Sequence, residues 1–289
     1  MPWRAAALAA LILTNACAGQ RTGGAAAEPA PGATTVSPER GALVVVGGGR
    51  VSADIVARFL ELAGGKDAPI VIIPTAGGDT VPSAYGPECV CARLFREAGA
   101  TDVTVLHTYD RKVAESEAFV APIRRARAVW FPGGRQWRLV DSYLGTRVER
   151  ELHAVLARGG VVGGTSAGAS IQASYLVRGA REGNTIMMAP GYEQGFAFLR
   201  GVAVDQHVSQ RNRQVDLQEV LGRHPQLLGL GIDESTAIVV QRDTFTVLGT
   251  GKVFVHGGRD PADAGLPYRT LAAGDRYDLR GRRLVAGDR

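Results

Sequence analysis

Val161-Val162-Gly163-Gly164-Thr165-Ser166-Ala167-Gly168-Ala169-Ser170 is an apolar strand that breaks at glycines, delivers one serine and continues in small residues. Gly164 to Gly168 reads G-x-S-x-G, in which small flanking residues let the chain turn sharply enough to push Ser166 Oγ out at the strand end. The N–H of Ala167, opening the following helix, then faces the place where a substrate oxyanion would form. Taken alone, the run also fits a tight glycine turn or a phosphate cradle. A base and an acid elsewhere in the chain are what distinguish the readings.

Both are present downstream. A serine hydroxyl is a poor nucleophile at neutral pH and needs an imidazole to take its proton and a carboxylate to hold that imidazole in the right tautomer. His207 lies in Val204-Asp205-Gln206-His207-Val208-Ser209-Gln210-Arg211-Asn212-Arg213, and Glu234 in Gly229-Leu230-Gly231-Ile232-Asp233-Glu234-Ser235-Thr236-Ala237. The chain order Ser, His, Glu differs from the Ser, Asp/Glu, His order of α/β-hydrolases. Each residue also has a plainer reading: His207 as a satisfied core histidine, Glu234 as a loop charge or helix cap, Arg211 and Arg213 as a solvated basic pair.

Outward from the serine, strands and helices alternate. Strands are expected at Ala42 to Val46, Ile70 to Pro74, Val103 to Leu106, Ala128 to Phe131 and Val161 to Val162. Helices are expected at Ala53 to Ala63, Pro87 to Ala98, Trp137 to Leu144, Glu149 to Arg158 and after Ser166. This alternation predicts an α/β fold: a three-layer, open, mostly parallel sheet with helices on both faces and the serine at a nucleophile elbow. The catalytic candidates then fall at carboxyl ends of strands, where open α/β sheets place their ligands. Thr236 to Val240, Phe245 to Leu248 and Val253 to Val255 read as C-terminal β-strands on one edge. Gly47-Gly48-Gly49 follows the first strand but lacks the full G-x-G-x-x-G spacing, and reads as a turn beneath the site.

Four separated blocks make the chain resemble the cyanophycinases, serine peptidases of a class I glutamine amidotransferase-like fold related to α-aspartyl dipeptidases. They are Phe131-Pro132-Gly133-Gly134-Arg135-Gln136, Gly163 to Ser170, Asp205 to Arg213, and His224 to Glu234. The resemblance runs from near Leu43 to beyond Val255. It implies Ser166 as nucleophile, His207 as base and Glu234 as the orienting acid. Gly134 and Ala167 would be the oxyanion-hole donors, and Gln136, Gln206, Arg211 and Arg213 would line the substrate pocket. The implied reaction is exopeptidase cleavage of cyanophycin, a poly-aspartate bearing arginine on its side chains, into β-Asp-Arg dipeptides through an acyl-enzyme. Other readings are an aspartyl or isoaspartyl dipeptidase of the same fold, or a catalytically silent binding lipoprotein. Two positions depart from the family pattern: Arg135 stands where Asp or Asn is usual, and Gln214-Val215-Asp216 follow where a third arginine is frequent. The second change predicts a carboxylate at the pocket rim, free to meet a cationic side chain.

The remaining features set boundaries. Arg4 followed by apolar Ala5 to Thr14 forms a targeting segment over residues 1–18, too short to span a bilayer. Thr14-Asn15-Ala16-Cys17 resembles a lipobox, which would put a lipid on Cys17 as the membrane attachment; a plain secretory cut after Ala18 is the alternative. Either reading places the protein outside the cytoplasm, in the periplasm, on the envelope or secreted. Residues 19–40, rich in Gly, Ala, Pro, Ser and Thr, read as a disordered tether, and 41–289 as the hydrolase domain. The net charge of +5 comes from arginine, with lysine only at positions 66, 112 and 252. Arg124-Arg125-Ala126-Arg127 has no interleaved aromatics, so nucleic acid is not an expected partner. An aspartyl peptide is the expected one, with a homodimer also open. No metal or other cofactor is expected, because the five histidines form no ligand cluster. Cys89 and Cys91, one residue apart, read as small buried side chains rather than a disulfide.

Overall fold

The computed structural model describes residues 35–78 and 89–285. The chain runs through β1 (Ala42–Val46), α1 (Ala53–Ala63), β2 (Ile70–Ile72), a 3₁₀ turn Thr75–Gly77, α2 (Val90–Glu97) and β3 (Val103–Val105). It continues through α3 (Arg111–Ala114), α4 (Glu117–Arg125), β4 (Ala128–Phe131), α5 (Gln136–Tyr143), α6 (Arg147–Ala157), β5 (Val161–Thr165) and α7 (Ala167–Ser170). Next come β6 (Ala173–Tyr175), β7 (Leu199–Gln206), a 3₁₀ turn Ser209–Arg211, α8 (Leu217–Arg223) and β8 (Leu228–Ile232). The remaining strands are β9 (Thr236–Gln241), β10 (Thr244–Gly249), β11 (Val253–His256), β12 (Arg269–Leu271), β13 (Arg276–Asp278) and β14 (Arg283–Leu284).

The main sheet has the order β14-β13-β10-β9-β1-β5-β4-β2-β3. Its β1, β5, β4, β2 and β3 are parallel, joined by helical crossovers, while β9, β10, β13 and β14 extend it antiparallel. β1 is buried at every position because it is central and covered on both faces, which is why it reads as an unbroken apolar run. Ala42, Val44 and Val46 face a core shared with α1 and α2. Leu43 and Val45 face the opposite core, built with α4, α5, α6 and α7. On α1 the buried residues Ile55, Val56, Phe59, Leu60 and Ala63 make one stripe, and Gly64 ends the helix in the left-handed conformation, φ 105°.

A second sheet, order β12-β11-β8-β7-β6, was not legible in the strand pattern. Its Val202, Val204, Leu228, Leu230 and Val253 join the same core as Leu43 and Val45. Part of that face of the main sheet is therefore covered by strands as well as helices. The C-terminal strands divide accordingly: β9 and β10 extend the main sheet as expected, whereas Val253 to Val255 pair with β8 in the second sheet.

Two local expectations are corrected. Cys89 and Cys91 are joined by a disulfide. Cys89 caps α2, accepting from the Cys91 N–H at 3.1 Å, and this first turn brings the Cα atoms to 5.1 Å, within bridging reach. The tether expected over residues 19–40 is not free at its end: the N–H groups of Val36 and Ser37 donate to Asp243 Oδ1 at 2.7 and 3.1 Å, and Arg200 holds Thr35. The expected segments 1–18 and 19–34 lie outside the described residues, as does Pro87 at the start of the expected second helix.

Phe59, Phe95 and Trp130 meet pairwise with ring centroids 5.1–5.3 Å apart, locking α1 and α2 onto the sheet. Trp130→Ala should cost about 3–5 kcal/mol of stability through lost burial and the cavity left behind. Urea denaturation checks this; an unchanged midpoint would show that the cluster does not anchor the helices.

Candidate active site

β5 ends between β1 and β4, and the chain turns sharply at Ser166, whose φ of 55° and ψ of −112° lie outside the regions ordinary residues favour. Its own N–H donates to Val46 O at 3.0 Å, which fixes the turn to the end of β1. The tight crossing needs small residues: a Cβ on Gly164 would overlap the Gly168 carbonyl, and one on Gly168 the Phe131 carbonyl. Ser166 Oγ is thereby held at the C-terminal ends of three parallel strands.

His207 and Glu234 come from the second sheet, just past the ends of the parallel neighbours β7 and β8. His207 Nε2 lies 2.9 Å from Ser166 Oγ, and Nδ1 lies 2.5 Å from Glu234 Oε1. The structure thus brings together the three residues expected to act as a unit, in nucleophile-to-base-to-acid geometry. The preceding Asp233 is not available for that role. Its Oδ1 accepts from Ser209 N–H at 2.7 Å and its Oδ2 from Lys252 N–H at 2.9 Å, so it braces the loop that presents Glu234. Burial pushes the His207 imidazole below its ordinary value; the hydrogen bond it donates to Glu234 opposes this and the positive charge of Arg211 adds to the lowering.

Gly47-Gly48-Gly49 ties the end of β1 to the loops that follow β7 and β8 in the second sheet. His207 N–H donates to Gly47 O at 2.8 Å and Ser235 N–H to Gly48 O at 2.9 Å. A Cβ on Gly48, φ 122°, would overlap the His207 ring, and one on Gly49 would stand 2.7 Å from Glu234 Oε2. The triplet is thus part of the site itself rather than a turn beneath it.

The expected oxyanion donors sit on two sides of the serine. Ala167 follows it at the start of α7, and Gly134 lies in the turn after β4, whose Gly133 would put a Cβ 3.8 Å from Ser166 Oγ. That turn is pinned by the Arg135 N–H, which donates to Ala76 O at 2.8 Å.

Of the expected pocket residues, Gln136 is buried and donates through Nε2 to Val177 O at 2.9 Å. Gln206 is buried, and its Oε1 has no hydrogen-bond partner among the described residues. Arg211 is exposed. Arg213 is 6% exposed and, among the described residues, donates to the carbonyls of Gln206 and Asn184, at 3.2 and 3.3 Å. Burial, then repulsion from Arg178, pushes its guanidinium down to about 10. Arg135 donates to Ala180 O at 2.5 Å.

Sequence reasoning missed Arg178. It is 1% exposed and grips Asp205 with Nε and a terminal nitrogen, both at 2.8 Å, while also donating to Asp216 Oδ2 at 2.6 Å. The expectation of a free Asp216 carboxylate at the rim is therefore corrected, because Arg178 already holds it. The available signal was an arginine inside the apolar run Tyr175-Leu176-Val177-Arg178, where a charge survives only if paired.

The arrangement is that of a serine peptidase built on an α/β scaffold. The family model described as Peptidase family S51 matches residues 43–248, and the chain belongs to that family. It is 33% identical over 268 residues to a cyanophycinase of Geminocystis herdmanii, covering 86% of this chain and 97% of that protein. It is also 33% identical over 265 residues to a cyanophycinase of Synechococcus elongatus, covering 84% and 81%. The crystal structure of a peptidase from an acI-B1 Actinobacterium shares the fold, with a TM-score of 0.65 at 23% identity, covering 84% of this chain and 98% of that one.

Gly48→Ala should leave the protein folded but displace the His207 ring, lowering the reactivity of Ser166 toward a fluorophosphonate probe by about a hundredfold or more. Labelling rates alongside circular dichroism decide the matter; wild-type labelling in the variant would show that the contact tolerates a methyl group.

Proposed function

We propose that this cyanophycinase-like peptidase cleaves the β-aspartyl-arginine polymer cyanophycin from its end, releasing β-Asp-Arg dipeptides through an acyl-enzyme. The observation that carries the chemistry is the pair of contacts from His207 to Ser166 Oγ and Glu234 Oε1, at 2.9 and 2.5 Å. The substrate is supported by the relatives that bear the name cyanophycinase.

In this mechanism Ser166 Oγ attacks the scissile carbonyl carbon while His207 Nε2 takes the hydroxyl proton. Glu234 accepts the Nδ1–H hydrogen bond, fixing the tautomer and stabilising the imidazolium that forms. The carbonyl oxygen, now an oxyanion, receives the N–H groups of Ala167 and Gly134. His207 gives its proton to the leaving amine, the C–N bond breaks and the acyl group stays on Ser166. Water, deprotonated by His207, then attacks the ester and returns the serine. Gln136, Gln206, Arg211 and Arg213 position the substrate, with the arginines available for its carboxylates.

The desolvated His207 makes the site a base over a wider range, since its neutral form persists below the ordinary histidine value of 6.5. With cyanophycin as substrate, β-Asp-Arg should appear, and kcat/KM should fall as pH drops through a value below 6.5. Ser166→Ala and His207→Ala should each lower turnover by roughly three to six orders of magnitude, and Glu234→Gln by about ten-thousand-fold at most. An acid limb above 6.5, or near-normal turnover in Ser166→Ala, would falsify the assignment.

We also propose export, on the n-region, apolar stretch and lipobox-like run before Cys17. Expressed at full length in a bacterial host, the protein should incorporate labelled fatty acid, and Cys17→Ser should abolish it. Fractionation with the cytoplasm would dismiss export, and an exported but unlabelled protein would leave the plain secretory cut.

A further inference from the structure

Two guanidinium groups and two carboxylates meet near His207, and they are not paired evenly. Asp205, fully buried at the end of β7, accepts Arg178 Nε and the Gln206 N–H on Oδ1, both within 2.9 Å, and a second Arg178 nitrogen on Oδ2. Asp216 gives Oδ2 to Arg178 as well. Arg213 is left 3.9 Å from Asp205 with neutral carbonyls as its hydrogen-bond acceptors, although it is more than nine-tenths buried. A buried guanidinium without a close carboxylate carries its desolvation cost uncompensated. Both nearby carboxylates could relieve that cost, and Arg178 holds both.

From this geometry we infer that Arg178 is a positioning residue for substrate recognition: by occupying Asp205 and Asp216 it keeps the 3.9 Å Arg213–Asp205 approach from closing into a hydrogen-bonded pair, and so leaves Arg213 able to pair with a carboxylate of the bound peptide. The inference rests on the reading of this site as an aspartyl-peptide site and adds to it the device that preserves its anion selectivity. Arg178 suits the task because its planar fork satisfies both oxygens of Asp205 and still reaches Asp216, leaving neither free to move the 1 Å or so that would close an ion pair with Arg213. The same guanidinium donates to Asn184 O at 2.9 Å, the carbonyl that Arg213 also uses, so both cations are registered against one loop. Were Arg178 lost, Asp205 would be expected to turn to Arg213 and neutralise it.

The test uses the uncleaving Ser166→Ala protein and calorimetric binding of β-Asp-Arg against the same dipeptide with its aspartyl α-carboxylate converted to an amide. The parent should prefer the carboxylate. Adding Arg178→Met should erase that preference by about tenfold, and adding Asp205→Asn to Arg178→Met should restore it to within about threefold, because the competing carboxylate is then gone. A merely structural brace predicts the opposite, a double variant no better than the single one, and that result overturns the inference, as does an unaltered preference in Arg178→Met. If Arg178→Met fails to fold, Arg178→Lys keeps the charge with a simpler contact and should retain most of the preference; a folded lysine variant that loses it also overturns the inference. Parent protein that binds neither ligand sinks the aspartyl-peptide reading and this inference together, whereas each of the other adverse results sinks the inference alone.

Discussion

The site depends on one steric allowance, the absence of side chains at Gly47, Gly48 and Gly49. The serine belongs to the main sheet, and the histidine and glutamate to the second. Their relative position is therefore a property of how closely the ends of β1, β7 and β8 approach. The Gly47 and Gly48 carbonyls accept the N–H groups of His207 and Ser235, and the imidazole and the Glu234 side chain lie directly against the bare Cα atoms of Gly48 and Gly49. Any Cβ at Gly48 would push the base away from its nucleophile. The backbone contacts hold the geometry from both sides, so orientation does not rest on the two side-chain hydrogen bonds alone.

The same closeness creates unusual conformations at several turns. Ser166, His207 and Ser235 all carry φ values between 53° and 56°, in the left-handed region that most side chains avoid. Ser166 and His207 each lie where a strand has just ended and present a side chain across to the other sheet, and Ser235 follows Glu234 in the loop between β8 and β9. Such conformations persist because the hydrogen bonds from Ser166 to Val46, His207 to Gly47 and Ser235 to Gly48 over-determine them. Electrostatics follow from the packing. Burial favours the neutral form of His207, while Asp233 is consumed by two backbone N–H groups, leaving Glu234 as the carboxylate that faces the ring.

Much of the first half of the chain was legible because its signals are local. Ala42 to Val46, Ala53 to Ala63 and Ala128 to Phe131 show apolar runs or stripes of the right period with glycine, proline or charge at their ends, and these elements occur at the expected bounds. The second sheet was not legible. β7 and β8 look like ordinary parallel strands, and nothing in their composition tells which sheet they join. The Cys89–Cys91 bridge depended on the helix cap, which brings together two side chains whose one-residue spacing reads as unfavourable for a disulfide. The ordering of residues 35–40 depended on Asp243, some two hundred positions away.

The sequence by itself picked out the serine, histidine and glutamate that the fold brings together. A serine between glycines at a strand end, a histidine and a glutamate each after an apolar strand, and the arginines beside them are matters of residue type and local context. Only the tertiary structure decided how charge is distributed around them. Arg178 stands 27 and 38 positions from Asp205 and Asp216, and although its apolar flanks call for a partner, they do not say which carboxylates supply it. Coulomb pairing in a buried site depends on distances of a few ångströms, set by how two sheets, a loop and a helix terminus converge. That convergence turns Asp216 from a rim carboxylate into a partner of Arg178, and leaves Arg213 as a buried cation whose approach to Asp205 stays at 3.9 Å.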